Sequence, residues 1–367
     1  MPPVRITLDA TPLLGPRTGV GRYVQHLVDE LPAAIARRGL DAEVRATTWT
    51  ARGARLTGLP AGITQAGPRV PARLLRELWR RTSLPPIEAL VGRTDVFHGT
   101  NFTSPPTRRA REVVTVHDLT YVEHAGTVSR ASLLYRELVP RALDRGALVV
   151  TPSETVATAV RAHYALPADR VRATPLGVDR GWFDATPPDP AWLDVRGLPR
   201  EYVVFVGSLD PRKNLPTLLA AHARALAADA GVPALVLAGP AGREHSLTAQ
   251  DGVHVTGWLE DDELRSLVAG SRALALPSLD EGFGLPVLEA LACGRPVVVS
   301  DIPALREVAG PLAHAAPPSD PDALAGALLA ALSAPDDDAA RALRRDRARE
   351  FTWSRFADRT LDAYLAA

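Results

Sequence analysis

The chain has 367 residues, 46% of them hydrophobic and 23% charged, and its 42 basic residues balance 42 acidic ones. That length suits two domains of ordinary size, and that composition excludes disordered, collagen-like and coiled-coil chains. No run approaches the ~20 apolar residues of a membrane span, and a single cysteine, Cys293, excludes a disulfide framework or a cysteine-cluster metal site. Arg5 and Asp9 interrupt the N-terminal apolar run, so no signal peptide is read there and a cytoplasmic protein is expected.

The zero net charge hides a split. Residues 1–178 hold 24 arginines against 15 acidic residues, a net of +9, and residues 179–367 carry the opposite −9. Such a dipolar chain offers its halves to different partners. Residue usage adds a second clue. Lys213 is the only lysine, and Asn101 and Asn214 are the only asparagines. A residue type nearly absent elsewhere draws attention where it survives, which singles out the Pro-Arg-Lys-Asn run at 211–214.

Short apolar runs alternate with helical patterns, the signature of βαβ units. The first half predicts strands at 4–9, 43–49, 95–98, 112–117, 147–151 and 171–175; the second at 202–207, 234–238, 253–257, 273–276 and 296–300. Helices are predicted at 23–38, 153–164, 215–228 and 261–269. Residues 177–200 are rich in Pro, Gly and Asp and lack a sustained period, so they read as a hinge. The expected α/β architecture is two Rossmann-like domains facing each other across a cleft, 1–178 and 179–351, with ligands at the C-terminal strand ends.

In chain order, the first motif is the glycine-rich stretch 15–23 (GPRTGVGRY), read as a turn between strand and helix that carries Gly19 and Gly21. It fails the full dinucleotide fingerprint because Val24 holds the third glycine's place. Within 69–90, Arg69, Arg73, Arg76 and Arg80 recur at helical spacing beside Leu74, Leu75, Leu78 and Trp79. This is either a solvated arginine face on a packed helix or a basic amphipathic helix for an anionic membrane surface. His98, Gly99, Thr100 and Asn101 end one predicted strand, and His117 with Asp118 ends another. Asp118 is read as fixing the tautomer of His117 or capping the next segment.

In the second half, a predicted strand ends at Gly207 and a loop delivers Ser208, Arg212 and Lys213, cations suited to a departing phosphate. Leu259 follows a later strand in Thr-Gly-Trp-Leu (256–259). The most informative segment is 276–300, where a strand leads into Glu281-Gly282-Phe283-Gly284-Leu285-Pro286 and then a helix carrying Glu289. Proline suits a first helical turn, glycines allow close approach to a ligand, and carboxylates accept hydrogen bonds from sugar hydroxyls. The acidic run Asp336 to Asp338 reads as a helix start rather than a metal cluster.

Glu281 and Glu289, eight positions apart around Gly-Phe-Gly-Leu-Pro, resemble the E-x7-E motif of family 4 glycosyltransferases, retaining enzymes of the GT-B fold. The resemblance extends over almost the whole chain. It implies that Glu289 binds the nucleotide ribose, and that Glu281 with the backbone of Phe283, Gly284 and Leu285 holds the transferred sugar. Arg212 and Lys213 take the diphosphate, and Ser208 stands where some members carry a further arginine. By the same resemblance the backbone near Leu259 meets the base, the Gly19–Gly21 loop closes over the donor phosphates, and His117 contacts the donor sugar or reacting centre. The C-terminal helix, 352–367, would cross back onto the first domain.

The implied function is transfer of a sugar, weakly mannose, from a GDP- or UDP-linked donor to a glycan or lipid-linked acceptor. Catalytic roles fall on His117, Lys213 and Glu281. The donor is a substrate; no cofactor, metal or nucleic acid is expected, and peripheral contact with an anionic membrane is. Rival readings are a sugar-nucleotide epimerase or phosphorylase on the same fold, or a catalytically silent sugar-nucleotide-binding assembly partner.

Overall fold

The structure is a computed structural model that describes residues 3–15, 18–50, 55–124, 126, 128–240 and 251–367. The chain divides into two compact units, Met1–Gly177 together with Trp353–Ala367, and Val178–Thr352.

The first unit is built on a parallel sheet of β1 (Val4–Asp9), β2 (Ala42–Thr47), β3 (Ile63–Ala66), β4 (Val96–Gly99), β5 (Arg111–Thr115), β6 (Leu148–Thr151) and β7 (Val171–Ala173). Their order is β3-β2-β1-β4-β5-β6-β7, so the winding reverses between β1 and β4. Every residue of β4 and β6 is buried, as expected for strands covered on both faces. Two expectations are corrected here. The strand predicted at 112–117 stops at Thr115, so His117 lies in the loop beyond it. The first long helix begins at Gly19 rather than 23, which makes Gly19 and Gly21 helical residues instead of a turn; the left-handed glycine of that stretch is Gly15, with φ 115°.

The C-terminal helix, Trp353–Ala366, packs against the Gly19–Arg37 helix within this unit. His26 stacks on Trp353 with ring centroids 3.9 Å apart, and Tyr23 meets Phe356 edge-on at 5.2 Å. A buried polar chain fastens the same elements. The Tyr23 hydroxyl lies 2.8 Å from Thr115 Oγ1, which lies 2.7 Å from His98 Nε2, and His98 Nδ1 is 2.6 Å from the Tyr364 hydroxyl. His98 is therefore a fully satisfied core residue tying β4 to the C-terminal helix. Burial, with the charge of His117 adding, lowers its pKa to about 3.

The second unit holds a parallel sheet of β8 (Tyr202–Val206), β9 (Ala234–Ala238), β10 (Val253–Gly257), β11 (Ala273–Leu276), β12 (Val297–Ser300) and β13 (Ala313–Ala316). The order is β10-β9-β8-β11-β12-β13, with the reversal between β8 and β11. Strands β3 and β13 were not expected from the alternation pattern, and the stretch read as a hinge contains two short helices, Arg180–Phe183 and Pro190–Val195. Asp337 accepts the Ala340 amide at 2.8 Å and caps the Asp338–Arg349 helix, while Asp336 pairs with Arg341 and Arg344.

The neutral His98 sets a pH dependence whose sign follows from its lowered pKa. Between the folded value near 3 and the unfolded value near 6.5, the unfolded chain binds the extra proton, so stability falls as pH drops below about 6.5. His98→Gln, which has no such proton to take up, should remove about 1.4 kcal/mol per pH unit of that slope between pH 6 and 4. Chemical unfolding at a series of pH values checks this; identical slopes in the two proteins would contradict it.

Candidate active site

The reversal of strand order beside β8 opens a crevice at the C-terminal ends of β8 and β11, the position where open parallel sheets hold ligands. The loops leaving these two strands are bound to each other. Leu279 N donates to Arg212 O at 2.9 Å, and Arg212 Nη1 donates to Asp280 O at 2.5 Å. Asn214 completes the latch, with its side-chain amide donating to Pro277 O at 3.0 Å and Pro318 O at 2.7 Å. Its backbone is left-handed, φ 56°, a conformation asparagine tolerates better than most residues, and its Oδ1 accepts from Thr217 at the start of the Leu215–Ala228 helix.

This latch presses two cations and a carboxylate together. Lys213 Nζ donates to Glu281 Oε1 at 2.6 Å, and Arg212 Nη1 to Glu281 Oε2 at 3.0 Å. Ser278 Oγ donates to the same Oε1 at 2.6 Å. Lys213 and Glu281 are both buried. Burial alone would raise the Glu281 pKa, yet the charges of Lys213 and Arg212 and the two hydrogen bonds outweigh it and hold the carboxyl near 2. Desolvation lowers the Lys213 pKa, the neighbouring Arg212 adds to that, and Glu281 opposes it. The three predicted residues thus form one charge cluster, with one formal positive charge left over. Ser278, which completes it, was not anticipated; its signal is the spacing of three residues before Glu281 on the loop after β11.

The same loop runs into the Leu285–Ala292 helix through Gly284. Gly284 has φ 103° and an added Cβ would sit 2.6 Å from Leu305 Cδ2, so only glycine fits. Phe283 is buried and packs its ring edge-on against Phe351, 5.7 Å between centroids. Glu289 sits in the second turn of this helix and is 1% exposed. Ser208 Oγ donates to Asp210 Oδ2 at 2.6 Å, and Leu259 is buried just past β10, two strands from β8 along the sheet edge.

In the first unit, His117 Nε2–H donates to Thr100 O at 2.9 Å, which fixes the tautomer and leaves Nδ1 as the acceptor nitrogen. Its ring is held edge-on by Tyr23 at 4.9 Å and Phe102 at 5.3 Å, and burial lowers its pKa to about 4. Asp118 accepts the Thr120 amide at 3.1 Å, at the start of the next helix. Gly19 lies exposed in the first helical turn and Gly21 is buried there.

The two units are Rossmann-like, the second carries a cation–carboxylate cluster at its sheet switch point, and comparison makes the class definite. A family model described as Glycosyltransferase Family 4 matches residues 17–182, and one described as Glycosyl transferases group 1 matches residues 200–334. The chain belongs to the family 4 glycosyltransferases and is a glycosyltransferase. It is 28% identical over 98% of its length to 99% of an O-antigen chain mannosyltransferase B of Escherichia coli. It is 32% identical over 60% of its length to 54% of an MMP α-(1→4)-mannosyltransferase of Mycolicibacterium hassiacum. Among solved structures, it matches sucrose-phosphate synthase from Thermosynechococcus elongatus with TM-score 0.73 at 20% identity, covering 100% of this chain and 98% of that one. WaaG, a glycosyltransferase involved in lipopolysaccharide biosynthesis, matches with TM-score 0.68 at 18% identity over 98% of both chains. The fold is GT-B.

Gly284→Ala tests how tightly the loop is built. Left-handed strain and the clash with Leu305 should together lower stability by about 2 to 4 kcal/mol, measured by chemical unfolding. A loss below about 0.5 kcal/mol would show that the loop relaxes freely.

Proposed function

We propose that the protein transfers a sugar, with retention, from a nucleoside diphosphate donor to a hydroxyl of a glycan or lipid-linked acceptor. The observation that carries this reading is the shared hold of Arg212 and Lys213 on the buried carboxylate of Glu281. A diphosphate arriving at this loop brings the negative charge that the cluster lacks. Arg212 and Lys213 then pair with phosphate oxygens, and Glu281 is freed to accept hydrogen bonds from hydroxyls of the donor sugar. As the glycosidic C–O bond breaks, charge builds on the leaving phosphate, so fixed cations there stabilise the transition state more than the ground state. Backbone amides of 283–285 steady the sugar, Glu289 takes the ribose hydroxyls, and the backbone near Leu259 takes the base. His117, with its bare Nδ1, contacts the donor sugar beside the reacting carbon, and the helix start at Gly19 and Gly21 approaches the donor phosphates. The leaving phosphate itself accepts the acceptor proton, so the scheme calls for no metal or other cofactor. Mannosyltransferases among the relatives support mannose, and solved neighbours in complex with UDP support a nucleoside diphosphate carrier, GDP or UDP.

Lys213→Ala should lower turnover at saturating donor by about 10² to 10³, roughly 3 to 4 kcal/mol for one preorganised donor. Glu289→Ala should instead raise the donor KM. Steady-state kinetics separates the two, with the wild-type rate unchanged by a chelator; near-normal turnover in Lys213→Ala would reject the assignment.

The acceptor side reaches a membrane surface in this proposal. No helix among the described residues is long and apolar enough to cross one. The predicted amphipathic segment forms the Ala72–Arg81 helix, with Leu75 and Trp79 in the core and Leu74 and Leu78 exposed by 53% and 38%. Leu84 is also exposed, and Arg73 and Arg81 flank these side chains. Leucines that dip into a headgroup layer beside arginines favour an anionic bilayer. At low salt the wild type should sediment with anionic vesicles and be released as salt rises, while Leu74→Asp/Leu78→Asp stays in the supernatant. Equal sedimentation with neutral and anionic vesicles would contradict this.

A further inference from the structure

At the C-terminal ends of β2 and β3 the first unit holds a cavity of about 410 Å³, lined by Thr48, Thr50, Gln65, Gly67, Arg55 and Arg69 among others. Among the described residues that line it, two are cations and none is an acid. Neither Arg55 nor Arg69 makes a hydrogen bond or ion pair to another described residue. Both guanidiniums belong to one concave polar wall, and an anion seated there gains charge-assisted hydrogen bonds from them.

The wall itself is built. Gln65 donates to Thr48 Oγ1 at 3.1 Å and accepts the Leu56 amide at 2.9 Å, so one amide braces the rim that carries Arg55 against the end of β2. Gly67, with φ 102°, turns the chain out of β3, and a Cβ there would sit 2.7 Å from Thr47 Oγ1. Thr48, whose hydroxyl accepts from Gln65, has its own proton to donate to a remaining oxygen of a tetrahedral anion.

We infer that this cavity binds a phosphoryl group carried by the acceptor. The inference rests on the reading that the first unit takes the acceptor, and it names the acceptor's chemistry. It also sets a length. Strand order places β2 three strands from β5, after which His117 follows, and at about 4.8 Å per strand the two sites lie roughly 14 Å apart. A phosphoryl group at that distance from the attacking hydroxyl fits a short glycan with its phosphate at the far end. The phosphate could belong to a soluble sugar ester or to a lipid headgroup; the chemistry at the arginines is the same.

The test uses the full chain carrying Lys213→Ala, so that the donor cradle does not compete for phosphate. Mannose 6-phosphate, mannose, phosphatidic acid vesicles and phosphatidylcholine vesicles are the probes, read by calorimetry and sedimentation with and without Arg55→Gln/Arg69→Gln. A soluble source predicts that the sugar ester binds at least tenfold more tightly than mannose and loses at least tenfold in the double variant. A lipid source predicts the same loss for phosphatidic acid vesicles alone. Binding of both phosphoryl probes unchanged by the double variant, or absent throughout, would overturn the assignment. With Lys213 restored, Arg55→Gln/Arg69→Gln should bind GDP and UDP at wild-type strength; a parallel drop would place the arginines' effect in the donor cradle and equally overturn it. Lowered turnover of Lys213→Ala at saturating donor, with the ester still bound, reads out the catalytic proposal separately.

Discussion

A buried carboxylate held between two cations is the constraint on which the second unit depends. Glu281 is out of water, and an isolated charge there would be untenable; Lys213, Arg212 and Ser278 make it stable. Meeting that requirement forces the loops after β8 and β11 into register, since Lys213 and Glu281 belong to different strands' exits. Asn214 and the Leu279–Arg212 backbone bond then keep that register in the unliganded chain. The site is preorganised by its own electrostatics. It also holds a cationic excess in reserve, which a diphosphate can use without rebuilding the loop.

The first unit solves a different problem with neutral groups. His98 is buried between Thr115 and Tyr364, where a charge would find no counterion, so burial keeps the ring neutral and the C-terminal helix gains a fixed anchor. Tyr23 links this anchor to His117, because the same ring whose hydroxyl meets Thr115 packs edge-on against His117. The orientation of His117 is thereby tied to elements from both ends of the chain. Its own hydrogen bond to Thr100 selects the tautomer.

Much of this was legible before any coordinates. The αβ alternation marked eleven of the thirteen strands among the described residues, and the Glu281–Glu289 and Arg212–Lys213 motifs marked the cluster. The strands missed are four-residue edge strands: β13 (AHAA) holds no strand former and β3 (ITQA) only the adjacent Ile63 and Thr64, too short a run to show alternation; they form because a neighbour offers a ladder. Ser278 was missed because its spacing of three residues before Glu281 has meaning only once the loop folds the two side chains together. His98 and His117 looked alike, each a histidine near a strand end. Only the packing of Tyr364 and Thr115 distinguishes a core histidine from one with a nitrogen to spare. The glycines at 19 and 21 misled for a related reason: glycine permits a turn but does not demand one, and here Gly15 makes it. The amphipathic helix was legible in its period and not in its facing, since leucines at adjacent positions split between core and surface.

The central claim is that the Arg212–Glu281–Lys213 cluster is the seat of a nucleoside diphosphate. Calorimetric titration of GDP and UDP into the wild type and into Arg212→Gln addresses it without reference to any acceptor. The account predicts that one nucleotide binds the wild type with an affinity that falls as salt rises, and that Arg212→Gln weakens it at least tenfold. Equal affinity in the two proteins would contradict the account.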